Sequence, residues 1–236
     1  MQGCLYKRQR QSAGLGTRLN HFLVELGDVL RGLTPERRRA RYGDVDFDWD
    51  YRVDTTEANV SLLTQLRGVF AGSQYQPADP GLFAESMASL PIEFPSYVFI
   101  DAGSGKGRAL LMACQYPFRR VIGIEVVPEL HAIAQRNLSQ RASELRVCEN
   151  AESRLGDAVD FSWPPEPTVL FLFNPFPEWV LEAMTGRLGD SLRQHPRKVW
   201  VIYHNPALEH VLAQSGFLKR LSGSPHAAIY ANEVQK

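Results

Sequence analysis

Residues 97–108 read Tyr-Val-Phe-Ile-Asp-Ala-Gly-Ser-Gly-Lys-Gly-Arg. Four apolar or aromatic residues come first, and an acid and three alternate glycines follow directly. A short run of β-branched and aromatic residues favours a strand. The glycines favour a sharp turn that lets a ligand approach the backbone, because glycine has no Cβ. The stretch therefore predicts a strand, a ligand-binding loop and the start of a helix.

The alternation of strand and helix patterns continues along the chain. The predicted strands are 97–100, 121–126, 169–173, 198–203, 217–221 and 227–231. Helical patterns fill most of the intervals, and the first four runs are apolar on both faces. These features predict an α/β fold, with a mostly parallel sheet that helices cover on both faces. We predict this domain at 92–236 and an N-terminal helical and acidic-loop extension at 1–91, which would be a cap or a substrate platform.

Composition excludes several classes of protein. The 236 residues contain 26 Lys or Arg and 26 Asp or Glu, so the formal net charge is +0. A strongly basic nucleic-acid coat protein is therefore excluded. The three cysteines show no CxxC spacing, which argues against a structural zinc site or a disulfide framework. No apolar run approaches the roughly 20 residues of a membrane span. We expect a cytoplasmic protein with no metal site and no membrane contact.

The zero net charge conceals an uneven distribution. Residues 1–41 hold nine basic and three acidic residues, whereas residues 44–57 hold six acidic residues and one arginine. Two interpretations remain open. The two segments are solvated faces that pair with each other, or the basic segment weakly contacts an anionic partner such as a nucleic acid.

Three kinds of ligand-binding loop compete for residues 101–107. A P-loop needs Ser or Thr directly after Lys106, where this chain has Gly107. The dinucleotide pattern GxGxxG needs a third glycine where this chain has Arg108. The pattern of an acid followed by xGxGxG, which binds S-adenosylmethionine, matches at Asp101, Gly103, Gly105 and Gly107. An acid at the strand end suits a ligand that carries ammonium and sulfonium charges.

Two further acids fit a nucleoside cofactor. Glu125 ends the next predicted strand, where a carboxylate can accept hydrogen bonds from both ribose hydroxyls. Asp157, followed by Ala158, can place an acid against the adenine amino group. Glu149 is a competing candidate for the adenine contact.

The stretch from Phe99 to Arg108 resembles motif I of class I S-adenosylmethionine-dependent methyltransferases. Its form with Ser104 is similar to a group of bacterial methyltransferases of unassigned substrate and, more distantly, to the non-SET histone lysine methyltransferases. The similar stretch runs from residues 53–55, through 75–77, to 203–206. The resemblance implies a Rossmann-like seven-stranded sheet whose last strand is antiparallel.

The resemblance also implies roles for individual residues. Asp101, Gly103 and Gly105 would surround the methionine moiety of S-adenosylmethionine. Glu125 would bind the ribose, and Asp157 would lie near the adenine. The full set of predicted cofactor-binding residues is Asp101, Gly103, Ser104, Gly105, Gly107, Glu125, Asp157 and Ala158. Tyr75 and the stretch around residues 54–55 are candidates to close over the cofactor.

Residues 173–177, Phe-Asn-Pro-Phe-Pro, follow the third predicted strand. They resemble the Asp/Asn/Ser-Pro-Pro-Tyr/Phe motif of amino-group methyltransferases. The resemblance implies that Asn174 and Pro175 accept hydrogen bonds from the target nitrogen and that Phe176 stacks on the target. Because Phe176 replaces the second proline of that motif, a structural Asn-Pro turn remains the alternative. His204, at the next strand end, is a candidate general base or a polar cap.

The sequence thus predicts direct transfer of a methyl group from S-adenosylmethionine to a nucleophile, with nitrogen favoured. A protein amine, a nucleic-acid base and a small molecule all remain open as acceptors. Two other functions remain as alternatives. One is a non-catalytic regulatory module that binds S-adenosylmethionine, and the other is an NAD(P)-dependent oxidoreductase.

Overall fold

The computed structural model describes the chain in six parts, residues 47–48, 53–55, 77–140, 147–148, 150–173 and 176–233. In these parts the strands are β1 Val98–Ala102, β2 Arg120–Glu125, β3 Ala151–Leu155, β4 Thr168–Phe173, β5 Val199–His204, β6 Leu218–Gly223 and β7 Ala227–Asn232. The α-helices are α1 Pro80–Ala88, α2 Arg108–Ala113, α3 Pro128–Gln140, α4 Glu178–Gln194 and α5 Glu209–Ala213. Single 3₁₀ turns occupy Phe94–Ser96 and Ala158–Asp160.

All seven strands form one sheet in the order β3-β2-β1-β4-β5-β7-β6. Strands β1 to β5 pair in parallel, and β7 runs antiparallel to both β5 and β6. The predicted mostly parallel, seven-stranded sheet with an antiparallel last strand is therefore confirmed. Since β1 lies between β2 and β4, the strand order reverses at β1. In open α/β sheets such a reversal leaves a ligand-binding crevice at the carboxyl ends of the strands.

Two hydrophobic clusters cover the sheet. One contains Phe83 and Met87 of α1 together with Phe99 of β1. The other contains Leu181 of α4 and Ile100 of β1. Every residue of β1 is buried, because alternate side chains enter opposite clusters. This double coverage explains why the strand sequences are continuously apolar, and it confirms the predicted helices on both faces.

Two elements, β3 and α1, carry too weak a sequence signal for the periodicity to reveal them. Strand β3 reads Ala-Glu-Ser-Arg-Leu, lies at the sheet edge and buries only Ser153. Helix α1 is short, but it has a local start signal. The Asp79 side chain accepts a hydrogen bond of 2.7 Å from the Leu82 N–H, and Pro80 occupies the first helical position.

Much of the predicted N-terminal extension, including the basic segment 1–41, lies outside the described residues. The division of the chain at residue 92 stays a prediction. Among the described residues, no helix combines the length and the apolar character that a membrane span requires.

Candidate cofactor site

The loop between β1 and α2 is built by glycines in a left-handed conformation. Their φ angles are 81° at Gly103, 54° at Gly105 and 85° at Gly107. A Cβ at Gly107 would lie 3.2 Å from the Cβ of Ala134 on α3. Glycine is required here both by the backbone angle and by the close approach of α3. The alternate glycines of the sequence are thus a geometric requirement of this turn.

Hydrogen bonds from the loop to the end of β2 fix its position. The N–H groups of Gly103 and Ser104 both donate to the carbonyl of Ile124 over 2.9 Å. The Gly105 N–H donates to Glu125 Oε2 over 2.7 Å, and the Val127 N–H donates to Glu125 Oε1 over 2.8 Å. The Glu125 carboxylate therefore holds the loop.

Asp101 and Glu125 form a pair of buried acids at this end of the sheet. Asp101 is 4% exposed. Burial, and secondly the charge of Glu125, raise the pKa of Asp101 to about 8. Burial also raises the pKa of Glu125, while the N–H groups of Val127, Gly105 and Val126 oppose that rise. Two neighbouring carboxyl groups with raised pKa values favour a cationic ligand, which would stabilise their charged forms.

The same loop holds an unsatisfied polar atom. The hydroxyl oxygen of Ser104 is buried and has no hydrogen-bond partner among the described residues. A Cβ at Gly123 of β2 would lie 2.7 Å from this oxygen, so the hydroxyl packs against β2 beneath the loop.

Both cations of the loop region are bonded within the chain. The Lys106 ammonium lies 2.6 Å from Asp54 Oδ1. The Arg108 Nε donates to Thr55 Oγ1 over 2.9 Å, and its guanidinium lies 3.7 Å from Asp48 Oδ1. These bonds join the loop to the acidic segment that precedes it in the chain.

The predicted adenine segment lies next to Glu125. The Gly156 N–H donates to the Glu125 carbonyl over 2.9 Å. The Asp157 carboxylate is exposed and caps the following 3₁₀ turn by accepting from the Val159 N–H over 2.8 Å. Ala158 is buried. The structure thus brings Asp157, Glu125 and the glycine loop to one edge of the sheet. The competing candidate Glu149 lies outside the described residues.

The predicted acceptor residues are described only in part. Asn174, Pro175 and Tyr75 lie outside the described residues. Phe176 is partly buried and packs against the cluster on the α4 side of the sheet. It follows β4, whose carboxyl end neighbours that of β1.

His204 ends β5 and pairs with Phe173 of β4 in the sheet register. Its side chain is fully buried beneath α1, where Nε2 lies 2.9 Å from the Ser86 hydroxyl. The ring of Phe171 meets it edge-on, with centroids 4.8 Å apart. Burial lowers the pKa of His204 to about 4, against a smaller opposing influence of Asp79. The imidazole is therefore neutral at pH 7.

No family model matches the sequence, and no curated protein matches it. The fold, however, is similar to solved structures. One is a Listeria monocytogenes protein described as a predicted N6-adenine-specific DNA methylase, with a TM-score of 0.50 and 14% identity. The fold is that of the class I methyltransferases. The match covers 72% of this chain and 55% of the Listeria chain.

Two other solved structures are similar to a lesser degree. A possible methylase from Clostridium difficile matches with a TM-score of 0.48 and 15% identity, over 72% of this chain and 56% of its own. An RNA methyltransferase from Salinibacter ruber, solved with S-adenosyl-L-homocysteine, matches with a TM-score of 0.41 and 18% identity. The match covers 67% of this chain and 93% of the Salinibacter chain. The chain thus spans little more than half the length of the Listeria and Clostridium proteins.

One buried residue of this methyltransferase fold escaped the sequence reasoning. Asn137 on α3 accepts a hydrogen bond from the Asp54 N–H over 3.1 Å. Its amide donates to the carbonyls of Asp54 over 2.8 Å and of Lys106 over 2.9 Å. A signal was present, because Asn137 falls between Ala134 and Leu138, on the buried face of an amphipathic helix. A polar residue in an apolar stripe usually has buried partners.

Proposed function

We propose that the protein is an S-adenosylmethionine-dependent methyltransferase. The observation that carries this proposal is the pair of buried acids, Asp101 and Glu125, beside a loop of three left-handed glycines. S-Adenosylmethionine would supply an electrophilic methyl group on a sulfonium, together with an ammonium group. The raised pKa of Asp101 and the carboxylate of Glu125, which is held in place by the loop, both fit such a ligand.

A nicotinamide dinucleotide fits this site less well. Its pyrophosphate would lie at the glycine loop beside the Asp101 carboxyl group, and it would repel the ionised form of that group. Lys106 and Arg108, the cations beside the loop, are bonded to Asp54, Thr55 and Asp48. This charge arrangement supports the methyl donor over the NAD(P)-dependent alternative.

We propose contacts for three parts of the cofactor, the methionine moiety, the ribose and the adenine. Asp101, Gly103 and Gly105 would hold the methionine moiety. Glu125 would accept hydrogen bonds from the ribose hydroxyls. The exposed carboxylate of Asp157 would accept a hydrogen bond from the adenine amino group. The backbone bonds to Glu125 orient its carboxylate before the ligand arrives, which lowers the entropic cost of binding.

We propose that the methyl acceptor binds at the carboxyl ends of β4 and β5. There Asn174 and Pro175 would accept hydrogen bonds from a target nitrogen, and Phe176 would stack on the target. Holding the nucleophile in line with the methyl group provides the proximity that direct displacement needs. His204 lies at this edge, but its ring is covered and bonded to Ser86, so we assign the acceptor contacts to residues 174–176.

Calorimetric titration of the protein with S-adenosylmethionine, S-adenosylhomocysteine and NAD tests the cofactor. We expect both adenosyl ligands to bind and NAD not to bind. The E125A variant should bind at least about tenfold more weakly, because it loses the ribose acceptor and loosens the loop. E152A, at an exposed acid of β3, is the matched control and should bind normally. Binding of NAD without either adenosyl ligand would refute the proposal.

Transfer of a labelled methyl group separates an enzyme from a regulatory module. The protein is incubated with radiolabelled S-adenosylmethionine and fractionated cell extract. We expect label in one macromolecular or small-molecule fraction, and loss of that label with E125A. Tight cofactor binding without transfer to any fraction would favour the regulatory module.

A further inference from the structure

Six polar residues join the segment 53–55 to the glycine loop, and we call them the anchor network. They are Asp48, Asp54 and Thr55 on the N-terminal side, and Lys106, Arg108 and Asn137 on the side of the loop and α3. The paired residues are far apart in sequence, since Asp54 and Lys106 are separated by 52 positions. The network therefore forms only in the folded protein.

Asn137 is the centre of the anchor network. Its amide donates to the backbone carbonyls of Asp54 and Lys106, and its carbonyl oxygen accepts from the Asp54 N–H. One buried side chain thus bonds the N-terminal segment and the glycine loop at the same time. All three of these hydrogen bonds end on backbone atoms, so they fix where the two chain segments lie relative to each other.

Two buried cations reinforce this contact. The Lys106 side chain is 4% exposed, whereas the side chain of its partner Asp54 is 63% exposed. Asp54 therefore lies on the solvent side of the loop, with the ammonium beneath it. Arg108 donates to Thr55, whose hydroxyl donates in turn to Asp48. Burying two cations is costly without close partners, so the segment and the loop need each other.

The anchor network lies directly beside the proposed cofactor site. Consecutive loop residues face opposite partners, since Gly105 bonds Glu125 of β2 and Lys106 bonds Asp54. The loop is thus held between β2 and the segment 53–55. On the side of the segment 53–55, the Asp54 carboxylate is paired with the Lys106 ammonium, so this contact carries one charge of each sign.

We propose that residues 53–55 form a wall of the cofactor site, and that Lys106, Arg108 and Asn137 are the positioning residues that hold this wall against the glycine loop. The inference rests on the proposed function, because it concerns the affinity for an adenosyl ligand. Holding the wall in place before binding removes an ordering cost, so losing the anchor weakens binding without removing any ligand contact of Asp101 or Glu125.

Hydrogen exchange with and without S-adenosylhomocysteine tests the wall directly. The amides of Val53, Asp54 and Thr55 donate to Asp48, Asn137 and Asp48 over 3.0, 3.1 and 2.8 Å, so they can be followed as protected sites. We expect their exchange to slow by about tenfold when the ligand binds. A segment that only supports the fold would exchange at the same rate with and without ligand.

Calorimetry of two variants tests the positioning role. K106M replaces a buried cation by an apolar chain of similar length, and the charge that it leaves unpaired, on Asp54, is exposed to solvent rather than buried. D54A changes the exposed partner and serves if K106M does not fold. Either variant should bind S-adenosylhomocysteine about tenfold more weakly. R120M is the matched control, because it breaks the Arg120–Glu166 ion pair of 2.9 Å at the amino ends of the strands, away from the glycine loop.

The outcomes are distinct. Slower exchange at residues 53–55 together with weaker binding by K106M or D54A supports the inference. Unchanged exchange, or unchanged affinity in the folded variants, overturns it and leaves the proposed function standing. If the wild type does not bind S-adenosylhomocysteine at all, the proposed function fails first and the wall fails with it.

Discussion

Replacing Asp101 by asparagine should affect folding and cofactor binding in opposite directions. The pKa of Asp101 is raised from 3.8 to about 8 in the folded protein. Between those pH values the folded state holds a proton that the unfolded chain has released. The group therefore favours folding at low pH, and its contribution falls as pH rises through this window. Asparagine does not titrate, so D101N lacks this dependence.

The magnitude follows from the pKa difference. Each pH unit inside the window changes the free energy of unfolding by up to about 1.4 kcal/mol. From pH 6 to pH 8 the wild type should lose roughly 2–3 kcal/mol relative to D101N. For a chain of this size that corresponds to a relative decrease in Tm of roughly 5–10 °C.

Thermal unfolding of both proteins at pH 6 and pH 8 measures the difference between the two pH responses, and groups that titrate equally in both cancel. D190N, at an exposed acid of α4, is the control and should follow the wild type. Parallel curves for the wild type and D101N would refute the reasoning, because Asp101 would then hold no proton at pH 6.

Cofactor binding should respond in the other direction. A cationic ligand favours the ionised carboxylate, so binding at pH 7 should release a proton from Asp101. Calorimetry in two buffers of different ionisation enthalpy measures the number of protons released on binding. The wild type should release nearly one proton more than D101N. D101N should also bind S-adenosylhomocysteine more weakly. Equal proton release in both proteins would contradict the assignment of Asp101 to the ligand.

Two further predictions concern stability. G107A should lower the free energy of unfolding, measured in urea, by about 1–3 kcal/mol, because the φ of 85° and the Cβ of Ala134 both oppose a side chain there. The control is G156A, whose new Cβ would have nothing within 4 Å. An equal loss of stability in G156A would contradict the argument. Because burial lowers the pKa of His204 to about 4, its contribution to stability is present above its ordinary pKa of 6.5 and falls as pH decreases toward 4. The wild type should therefore lose roughly 2 kcal/mol more than H204N between pH 6.5 and pH 4.5 in urea titrations, and equal losses would show that His204 protonates without cost.

The strands that are buried on both faces were predictable from the sequence, because a continuous apolar run indicates a strand that is covered on both sides. β1 and β4 enter two clusters, and apart from Asp101 in β1 and Thr168 in β4 every residue of the two strands is apolar. Strand β3 has one neighbour and one buried residue, and its sequence resembles a surface loop. The glycine loop was predictable because backbone geometry forces the residue type at Gly103, Gly105 and Gly107.

The anchor network and the position of His204 were not predictable in the same way. The partners of Lys106 and Arg108 lie about 50 residues away, and no local pattern shows which acid of the 44–57 segment pairs with which cation. Because it ends a strand, His204 was predicted to be either a general base or a polar cap. Its burial depends on α1, whose few apolar residues give a weak periodic signal.

The place of β7 in the sheet has a consequence for biosynthesis. β7 follows the other described strands in the chain, yet it lies between β5 and β6. While the ribosome has not yet released residues 227–232, β5, whose residues are all buried in the folded protein, presents an edge with unpaired backbone groups. Such edges promote aggregation of partly synthesised chains. A nonsense codon before position 227 should therefore yield an insoluble product, although it removes no residue of the glycine loop or of the anchor network.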